Sequence, residues 1–205
     1  MTVYPFSALL SRMRYIARWG LMRAARQENL AEHTAETAQL AHLLALLAQD
    51  RFSAPVSPER VAVAALYHDA SEILTGDLPT PVKYNNEELK TAYKALEREA
   101  EERLAALAPP EVRDGLRGAL CGDGLTEREK RILKAADKLS ALIKCVEERQ
   151  GGNLEFESAA RAQREYLAAM GLPEADYFME RMLPAYTRTL DELTAREGLP
   201  DITRR

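Results

Sequence analysis

Apolar residues recur at helical spacing along most of the chain, and no segment shows a convincing alternation of apolar and polar residues. The first periodic segment runs from about Phe6 to Ala17 and is followed by one that begins at Asn29. Further helices are predicted over 86–107, 111–121, 126–149, 155–170 and 175–195, with Gly/Pro-containing breaks between them. The pattern therefore predicts an all-α fold.

Cap residues indicate where several of these helices begin. Asn29 can accept hydrogen bonds from free amides while Glu32 reaches back to it, and the sequence TERE, which starts at Thr126, has the same form. Ser57 followed by Pro58 is a typical helix start. The next segment, VAVAALY, is apolar nearly all round, so we expect a buried central helix that ends at the following His-Asp pair.

The composition is that of a soluble globular protein, with 205 residues, 46% hydrophobic and 29% charged. We expect one domain over 1–205, with a core over about 5–195 and a polar, mobile tail over about 196–205. The formal charge of −4 argues against a polynucleotide partner, and no apolar run is long enough to span a membrane. Cys121 and Cys145 stand apart, which favours reduced thiols and a cytoplasmic location.

Positive charge is concentrated at the N-terminus, where residues 1–27 contain several arginines and no acid before Glu28. Such a segment has some features of a mitochondrial presequence. We favour the alternative that a local positive field on an acidic protein faces an anionic ligand. The arginines are Arg12, Arg14, Arg18, Arg23 and Arg26.

Two acidic side chains and one histidine lie close together at the end of the central helix. His68 and Glu72 are four residues apart, and Asp69 and Glu72 are three apart, so a helical continuation places them together. Asp137 lies at the edge of an apolar stripe on a later helix. Burial of an unpaired carboxylate is costly, so Asp137 must be solvated, hydrogen-bonded, paired with a lysine such as Lys134 or Lys138, or bound to a metal.

Each of these residues also has an ordinary structural explanation. Taken alone, His33 is a helix-start residue, Glu72 a solvated helix-end acid, and Asp77 a turn residue after a glycine. His42, in the leucine-rich segment AHLLALLA, has no acidic neighbour within four residues. It serves as the control histidine, one that is not expected to bind a metal. We expect a packed or partly exposed side chain there. The order of the whole set is what favours a functional explanation.

The order H…HD…D, formed by His33, His68-Asp69 and Asp137, resembles the signature of HD-domain metal-dependent phosphohydrolases. The surrounding segments are similar to the bacterial 5′-deoxynucleotidase branch of that superfamily, over nearly the whole chain. Those segments are RWGLMR at 18–23, ENLAEHT at 28–34, YHDASEILTGDLPTPVKY at 67–84, KAADKLSALIKCVEE at 134–148 and DYFME at 176–180. The resemblance implies a helical HD-domain fold and a homodimeric enzyme that hydrolyses deoxyribonucleoside 5′-monophosphates.

The same resemblance implies a ligand set of His33, His68, Asp69 and Asp137 for one divalent ion. Two imidazoles and two carboxylates suit Co²⁺, Mn²⁺, Fe²⁺ or Zn²⁺ better than an all-oxygen Ca²⁺ site. Such an ion would activate water and offset phosphoryl charge. Glu72 corresponds to the catalytic acid/base of the family, close to the ion without binding it.

Substrate contacts are implied for five further positions. Arg18 corresponds to the residue that binds the phosphate, for which a guanidinium is suited, and Trp19 to a wall of the deoxyribose pocket. Asp77 corresponds to a residue near the sugar and the attacking water, so it is both a catalytic and a substrate-binding candidate. Thr80 and Pro81 complete the predicted substrate site.

Two other classes of function remain open from the sequence. One is another HD-type activity, such as a deoxynucleoside triphosphate triphosphohydrolase or a cyclic-nucleotide phosphodiesterase. The short chain and the segment TGDLPTPVKY at 75–84 count against it. The other is a non-catalytic helical module that binds metal or nucleotide, against which the complete ligand set and Glu72 count.

Overall fold

The computed structural model of the protein describes residues 2–83 and 85–195. In these ranges the regular structure is helical, and the extended pairing is one isolated antiparallel bridge between Ala17 and Asn29. The all-α prediction is confirmed. The predicted tail over 196–205 lies outside the described residues.

Helices of very different length alternate with short turns. The α-helices are α1 Phe6–Leu10, α2 Leu30–Leu46, α3 Pro58–Tyr67, α4 Glu72–Thr75, α5 Thr80–Lys83, α6 Glu87–Ala106, α7 Arg113–Cys121, α8 Glu127–Gln150, α9 Glu157–Met170, α10 Pro173–Arg181 and α11 Leu190–Thr194. Short 3₁₀ helices occupy Ser11–Tyr15, Pro110–Val112, Leu154–Phe156 and Leu183–Thr187, and a π-helical turn, Leu47–Arg51, extends α2. Within the described part of the chain, no helix is long and apolar enough to cross a membrane.

The predicted cap residues cap their helices, but among the described residues Glu32 does not reach back to Asn29 and pairs with Arg26 Nη2 at 3.3 Å. Asn29 Oδ1 accepts the Glu32 amide at 3.0 Å, and Ser57 Oγ accepts an amide in the first turn of α3. Thr126 and Glu129 form a complete capping box at the start of α8. Because each cap satisfies amides that have no partner inside the helix, the starts of α2, α3 and α8 are fixed by local chemistry.

The main core lies between α2, α3, α8 and α9, which pack side by side. Its largest fully buried side chains include Leu44, Ile132, Leu139, Phe156 and Leu167. A smaller apolar cluster brings Phe6 of α1 together with buried residues of α6 and α7. These two clusters bury the apolar faces of the long helices and leave their ends to form a polar site.

Three details of the predicted helices are wrong. Helix α3 is not buried all round, because Val63 and Leu66 are 47% and 46% exposed. The helix predicted over 175–195 is interrupted after Arg181, since Pro184 lacks the amide proton that an α-helix needs. The segment predicted as one helix over 6–17 tightens into a 3₁₀ helix after Leu10.

One buried carboxylate connects the starts of α3 and α8. Glu129 is fully buried and accepts the Ser57 and Thr126 amides at 2.8 Å each, and Arg60 Nη2 at 2.6 Å. Burial acts to raise the pKa of Glu129, but the hydrogen bonds from Arg60 and the two amides lower it to about 2. The carboxylate therefore fixes the spacing of the two helices.

The first prediction concerns this connection. Glu129→Gln should lower the free energy of unfolding at pH 7 by roughly 1–3 kcal/mol, the usual effect of losing charged hydrogen bonds. Because the folded pKa lies below the ordinary value, the stabilisation is present above pH 4.5 and disappears as the pH falls towards 2. Urea unfolding at pH 7 and pH 3 should show the difference between wild type and variant shrinking. Glu127→Gln, at an exposed acid of the same turn, is the control; an equal loss there would contradict the assignment.

Candidate metal centre

Three predicted ligands converge at the ends of two helices. His33 lies in the first turn of α2, and His68 and Asp69 directly follow α3. One donor atom from each of these residues lies within 4.8 Å of the others. His33 is buried, and the other two are half-buried.

The distances between the donor atoms suit a single ion. Asp69 Oδ2 lies 3.2 Å from His68 Nε2 and 3.5 Å from His33 Nε2, and Asp137 Oδ1 lies 3.4 Å from His33 Nε2. Metal–ligand distances of about 2.1 Å place neighbouring ligand atoms about 3.0–3.4 Å apart. Asp137 lies outside the compact three-residue group but contacts it through His33.

The hydrogen bonds of the two imidazoles leave Nε2 of each ring directed at the site. His68 Nδ1 lies 2.7 Å from the Ala65 carbonyl oxygen, which can only accept, so Nδ1 carries the proton. His68 Nε2 is buried and has no hydrogen-bond partner among the described residues. His33 Nδ1 lies 3.0 Å from Ser140 Oγ, which itself donates to Glu36 at 2.6 Å. Metal-binding histidines are commonly supported in this way.

Opposite charges surround His33. Burial acts to lower the pKa of His33, but the neighbouring carboxylates of Asp137, Asp69 and Glu28 raise it to about 10. Burial likewise acts to raise the pKa of Asp69, yet the two histidines hold it well below its usual range. The carboxylates thus favour a positive charge at Nε2 of His33. Either a proton or a metal cation at this nitrogen can compensate their negative charge.

Asp137 is paired as the sequence requires. Its Oδ2 lies 2.8 Å from Lys134 Nζ and 3.6 Å from Lys138 Nζ, while its Oδ1 faces His33. Burial acts to raise the pKa of Asp137, but these bases, Lys134 first, hold it well below its usual range. One oxygen is therefore held by lysine and the other is directed to the cluster.

Glu72 lies beside the cluster and is 2% exposed. Helix α3 does not continue through it: the chain turns with short i→i+3 bonds, including Glu72 N to Asp69 O at 3.0 Å, before α4 begins. Its Oε1 accepts from Lys83 Nζ at 2.6 Å, and its buried Oε2 has no hydrogen-bond partner among the described residues. Burial raises the pKa of Glu72 to about 8, and the charge of Asp69 adds to the rise.

Two predicted substrate residues precede α2, and one of them, Arg18, contacts the cluster. Arg18 Nη1 is 3.5 Å from Asp69 Oδ2, which places its guanidinium next to the donor atoms. Trp19 is half-buried, and its ring centroid lies 5.2 Å from that of Phe156. Trp19 has a positive φ of 59°, a conformation that bulky residues rarely adopt.

The remaining predicted positions are less closely joined to the cluster. Asp77 is half-buried and makes no direct hydrogen bond or ion pair within the described part of the chain. Burial raises its pKa, while Arg18 and Lys83 oppose the rise, so it lies within range of their charges. The side chains of Thr80 and Pro81 lie outside the description. His42 is exposed and does not belong to the cluster, as its role as control requires.

A cavity of about 350 Å³ opens beside His68, Asp69 and Asp137 and extends between α6, α7 and α8. Its wall contains acids such as Glu97 and Glu101, but lysine is the most frequent residue type. Lysines that alternate with acids next to a cation site can offer positive groups to an anionic ligand. The lysines are Lys83, Lys90, Lys94, Lys130 and Lys134.

The loop between Trp19 and α2 is held through its backbone. Glu148 is 3% exposed and accepts the Ala25 amide at 2.7 Å and the Arg26 amide at 3.2 Å. Lys144 Nζ donates to the same carboxylate at 2.6 Å and to the Arg26 carbonyl oxygen. This buried pair on α8 fixes the loop that follows Arg18 and Trp19, the predicted phosphate and sugar contacts.

Four residues of the site are not among the sequence-predicted set: Glu28, Glu36, Lys83 and Ser140. Glu28 and Lys83 lie inside the segments ENLAEHT and TGDLPTPVKY, so proximity to predicted residues is the one signal that could have indicated them. Ser140 likewise lies inside the segment KAADKLSALIKCVEE at 134–148. Glu36 carries no such signal, because its contact with Ser140 depends on the packing of α2 against α8.

Sequence comparisons agree with the resemblance. A family model described as 5′-deoxynucleotidase YfbR-like matches residues 5–186. A 5′-deoxynucleotidase of Cronobacter sakazakii is 46% identical over 194 residues, which cover 95% of this chain and 98% of that protein. One from Vibrio atlanticus is 43% identical over 189 residues, covering 92% and 97%.

Solved structures share the fold. An HD-domain phosphohydrolase from Listeria innocua superposes with a TM-score of 0.78 at 24% identity, covering 91% of this chain and 90% of that one. The cyanophage S-2L HD phosphohydrolase, solved with dA and one catalytic Zn²⁺ ion, has a TM-score of 0.61 at 21% identity, covering 90% and 98%. At these identities the likeness concerns the fold alone.

The second prediction tests the ligand atoms. His68→Ala or Asp69→Ala should weaken binding of Co²⁺ or Zn²⁺ by more than the roughly 10–100-fold that losing a supporting hydrogen bond costs. Calorimetric titration of the metal-free protein measures this. His42→Ala, at the exposed histidine, should bind as wild type does. Stoichiometric metal at wild-type affinity in purified Asp69→Ala would show that the ligand assignment is wrong.

Proposed function

The chain belongs to the 5′-deoxynucleotidase YfbR-like family, and we propose that it is a metal-dependent 5′-deoxynucleotidase. Its reaction is the hydrolysis of deoxyribonucleoside 5′-monophosphates to deoxyribonucleosides and phosphate. The substrate is thus a small nucleotide. The observation that carries this proposal is the cluster of His33, His68 and Asp69, with the unpartnered Oε2 of Glu72 beside it.

We infer that His33, His68, Asp69 and Asp137 hold one divalent transition-metal ion. The donor set fits this, since two imidazole nitrogens and two carboxylates suit Co²⁺, Mn²⁺, Fe²⁺ or Zn²⁺. The buried Nε2 of His68 agrees with this, because it forms no hydrogen bond of good geometry among the described residues and lies 3.2 Å from Asp69 Oδ2. When bound, the ion supplies a Lewis acid that lowers the pKa of a water and offsets charge on the phosphoryl group.

Glu72 is proposed to manage the protons of the reaction. A water oxygen forms a new bond to phosphorus, the bond from phosphorus to the 5′ oxygen breaks, and that oxygen takes up a proton. In its ionised form, Glu72 can accept a proton from the water at its free Oε2 and return it to the leaving oxygen. Lys83 holds the other oxygen at 2.6 Å and so orients the carboxyl group.

Recognition of the substrate is proposed to depend on residues around the donor atoms. Arg18, next to Asp69, would bind the phosphate through its guanidinium, and Trp19 would form one wall of the deoxyribose pocket. Asp77 would lie near the sugar and the attacking water, with its charge balanced by Arg18 and Lys83. Thr80 and Pro81 are assigned to the substrate site from the family resemblance alone.

Further features of the protein are proposed on the same resemblance: one HD domain over 1–205 and a homodimer in the cytoplasm. Free Cys121 and Cys145 are compatible with a reducing compartment. Light scattering coupled to size-exclusion chromatography measures the oligomeric state directly.

The third prediction is the activity itself. With Co²⁺, Mn²⁺ or Zn²⁺ added, the protein should release phosphate from deoxyribonucleoside 5′-monophosphates faster than from the matching ribonucleotides, and chelation should abolish turnover. The assay measures phosphate and pyrophosphate over mono-, di-, tri- and cyclic nucleotides. Preference for triphosphates or cyclic nucleotides would indicate another HD-type activity, and no turnover with any ion would favour a binding module.

The fourth prediction separates Glu72 from the ligands. Glu72→Gln keeps an oxygen for Lys83 but cannot exchange a proton, so kcat should fall by roughly 10²–10⁴ while metal and nucleotide binding remain. Elemental analysis, calorimetry and steady-state kinetics on one preparation measure all three quantities. Glu99→Gln, at an exposed acid on α6, should behave as wild type. Near-normal kcat in Glu72→Gln would move the role elsewhere, and loss of metal would make Glu72 a ligand.

A further inference from the structure

A buried carboxylate outside the proposed ligand and substrate sets lies between three of the site's side chains. Glu28 is 7% exposed and directly precedes the cap of α2. Its Oε2 accepts the indole N–H of Trp19 at 2.7 Å. Its Oε1 lies 3.4 Å from Arg18 Nε and 3.6 Å from His33 Nδ1. One anion therefore faces a predicted sugar contact, a predicted phosphate contact and a predicted metal ligand.

Backbone pairing places this carboxylate. The Arg18 amide donates to the Glu28 carbonyl oxygen at 3.0 Å, and the Leu30 amide donates to Ile16 O at 2.9 Å, on either side of the Ala17–Asn29 bridge. The chain at 16–18 is thus joined to the chain at 28–30. Residues that flank this pairing cannot move independently, so Glu28 is held beside Arg18 whatever occupies the site.

Trp19 needs an external contact to keep its orientation. Its positive φ of 59° is a backbone conformation that costs a bulky residue of the order of 1 kcal/mol or more. The ring has two identified supports, packing on Phe156 and the 2.7 Å hydrogen bond to Glu28. Packing restrains the plane of the ring, but only a directional bond to the indole nitrogen selects which edge of the ring faces the site.

The two oxygens of Glu28 act differently. Oε2 makes a short, charge-assisted hydrogen bond, which is the strong and directional kind. Oε1 is too distant for a good hydrogen bond to Arg18 or His33, and the Nδ1 proton of His33 goes to Ser140 instead. Oε1 therefore acts through its charge, which balances the neighbouring cations in a poorly solvated site.

We propose that Glu28 is a positioning residue, which orients Trp19 against the substrate sugar by accepting its indole N–H and whose charge balances Arg18 beside the metal centre. The inference rests on the proposed function, since it assigns to Trp19 contact with the sugar. It extends that function by making the preference for deoxyribose depend on an acid that does not itself touch the substrate.

The fifth prediction is that Glu28→Ala lowers the ratio of kcat/KM for a deoxyribonucleotide to that for its ribonucleotide by roughly tenfold, the effect of losing one charge-assisted hydrogen bond. A purely structural role would lower both values alike and leave the ratio unchanged. Glu28→Gln retains an oxygen for the indole N–H and should keep the ratio within about threefold of wild type. Glu32→Ala, at an exposed acid in the same region, is the matched control.

A double-mutant cycle tests whether Glu28 affects the preference for deoxyribose through its hydrogen bond to Trp19. Trp19→Phe keeps an aromatic ring but removes the indole N–H, so it should reproduce the loss of selectivity. Adding Glu28→Ala to it should then cause little further loss, because the bond is already absent. Additive losses, an unchanged ratio in Glu28→Ala, or a loss in Glu28→Gln equal to that in Glu28→Ala would each overturn the proposal.

Fluorescence tests the contact without turnover. Trp19 is the only tryptophan of the chain, so its emission reports this one ring. In Glu28→Ala the emission should shift to longer wavelength and acrylamide quenching should increase, whereas Glu32→Ala should match wild type. Unchanged emission would overturn the proposal. A wild-type protein that releases no phosphate would instead defeat the proposed function and leave this readout intact.

Discussion

The arrangement of the site depends on the balance of charge around the buried ring of His33. Asp69, Asp137 and Glu28 each place a carboxylate oxygen within 3.6 Å of one of its nitrogens. Charges removed from water are costly unless each is compensated, so every helix that contributes one is constrained by the others. Arg18 and the lysines next to Asp137 complete the compensation.

Helix ends and turns supply most of these groups, and their positions are set away from the site. Glu129 ties the start of α3 to the start of α8. His68 follows the other end of α3, and Asp137 lies about two turns after Glu129 on α8. Asn29 fixes the start of α2 four residues before His33. Apolar packing between α2, α3 and α8 then brings the ends of the helices to one place. Rigid caps and a rigid core thus position side chains that would otherwise repel one another.

Local chemistry is the part of this structure that can be predicted from the sequence. The caps at Asn29 and Thr126 form because they need only neighbouring residues, and the interruption at Pro184, which the predicted helix passes over, follows from the missing amide proton. The predicted ligands come together, although spacing alone could not bring His33 to Asp137. Glu28 could not be assigned from the pattern, because its contacts depend on a backbone pairing that helical periodicity does not encode.

The hydrogen bonds from the loop before α2 to Glu148 affect which substitutions that loop can accept. It binds the amides of Ala25 and Arg26, and an amide is present whatever side chain a non-proline residue carries. The identity of most residues in that loop is therefore uncoupled from its shape, apart from proline, which has no amide proton to donate. The protein can accept new surface side chains at Ala25, Arg26 or Gln27, where all three are exposed, without displacing Trp19. The fold thus allows different side chains at these three positions without a change in the backbone that follows Trp19.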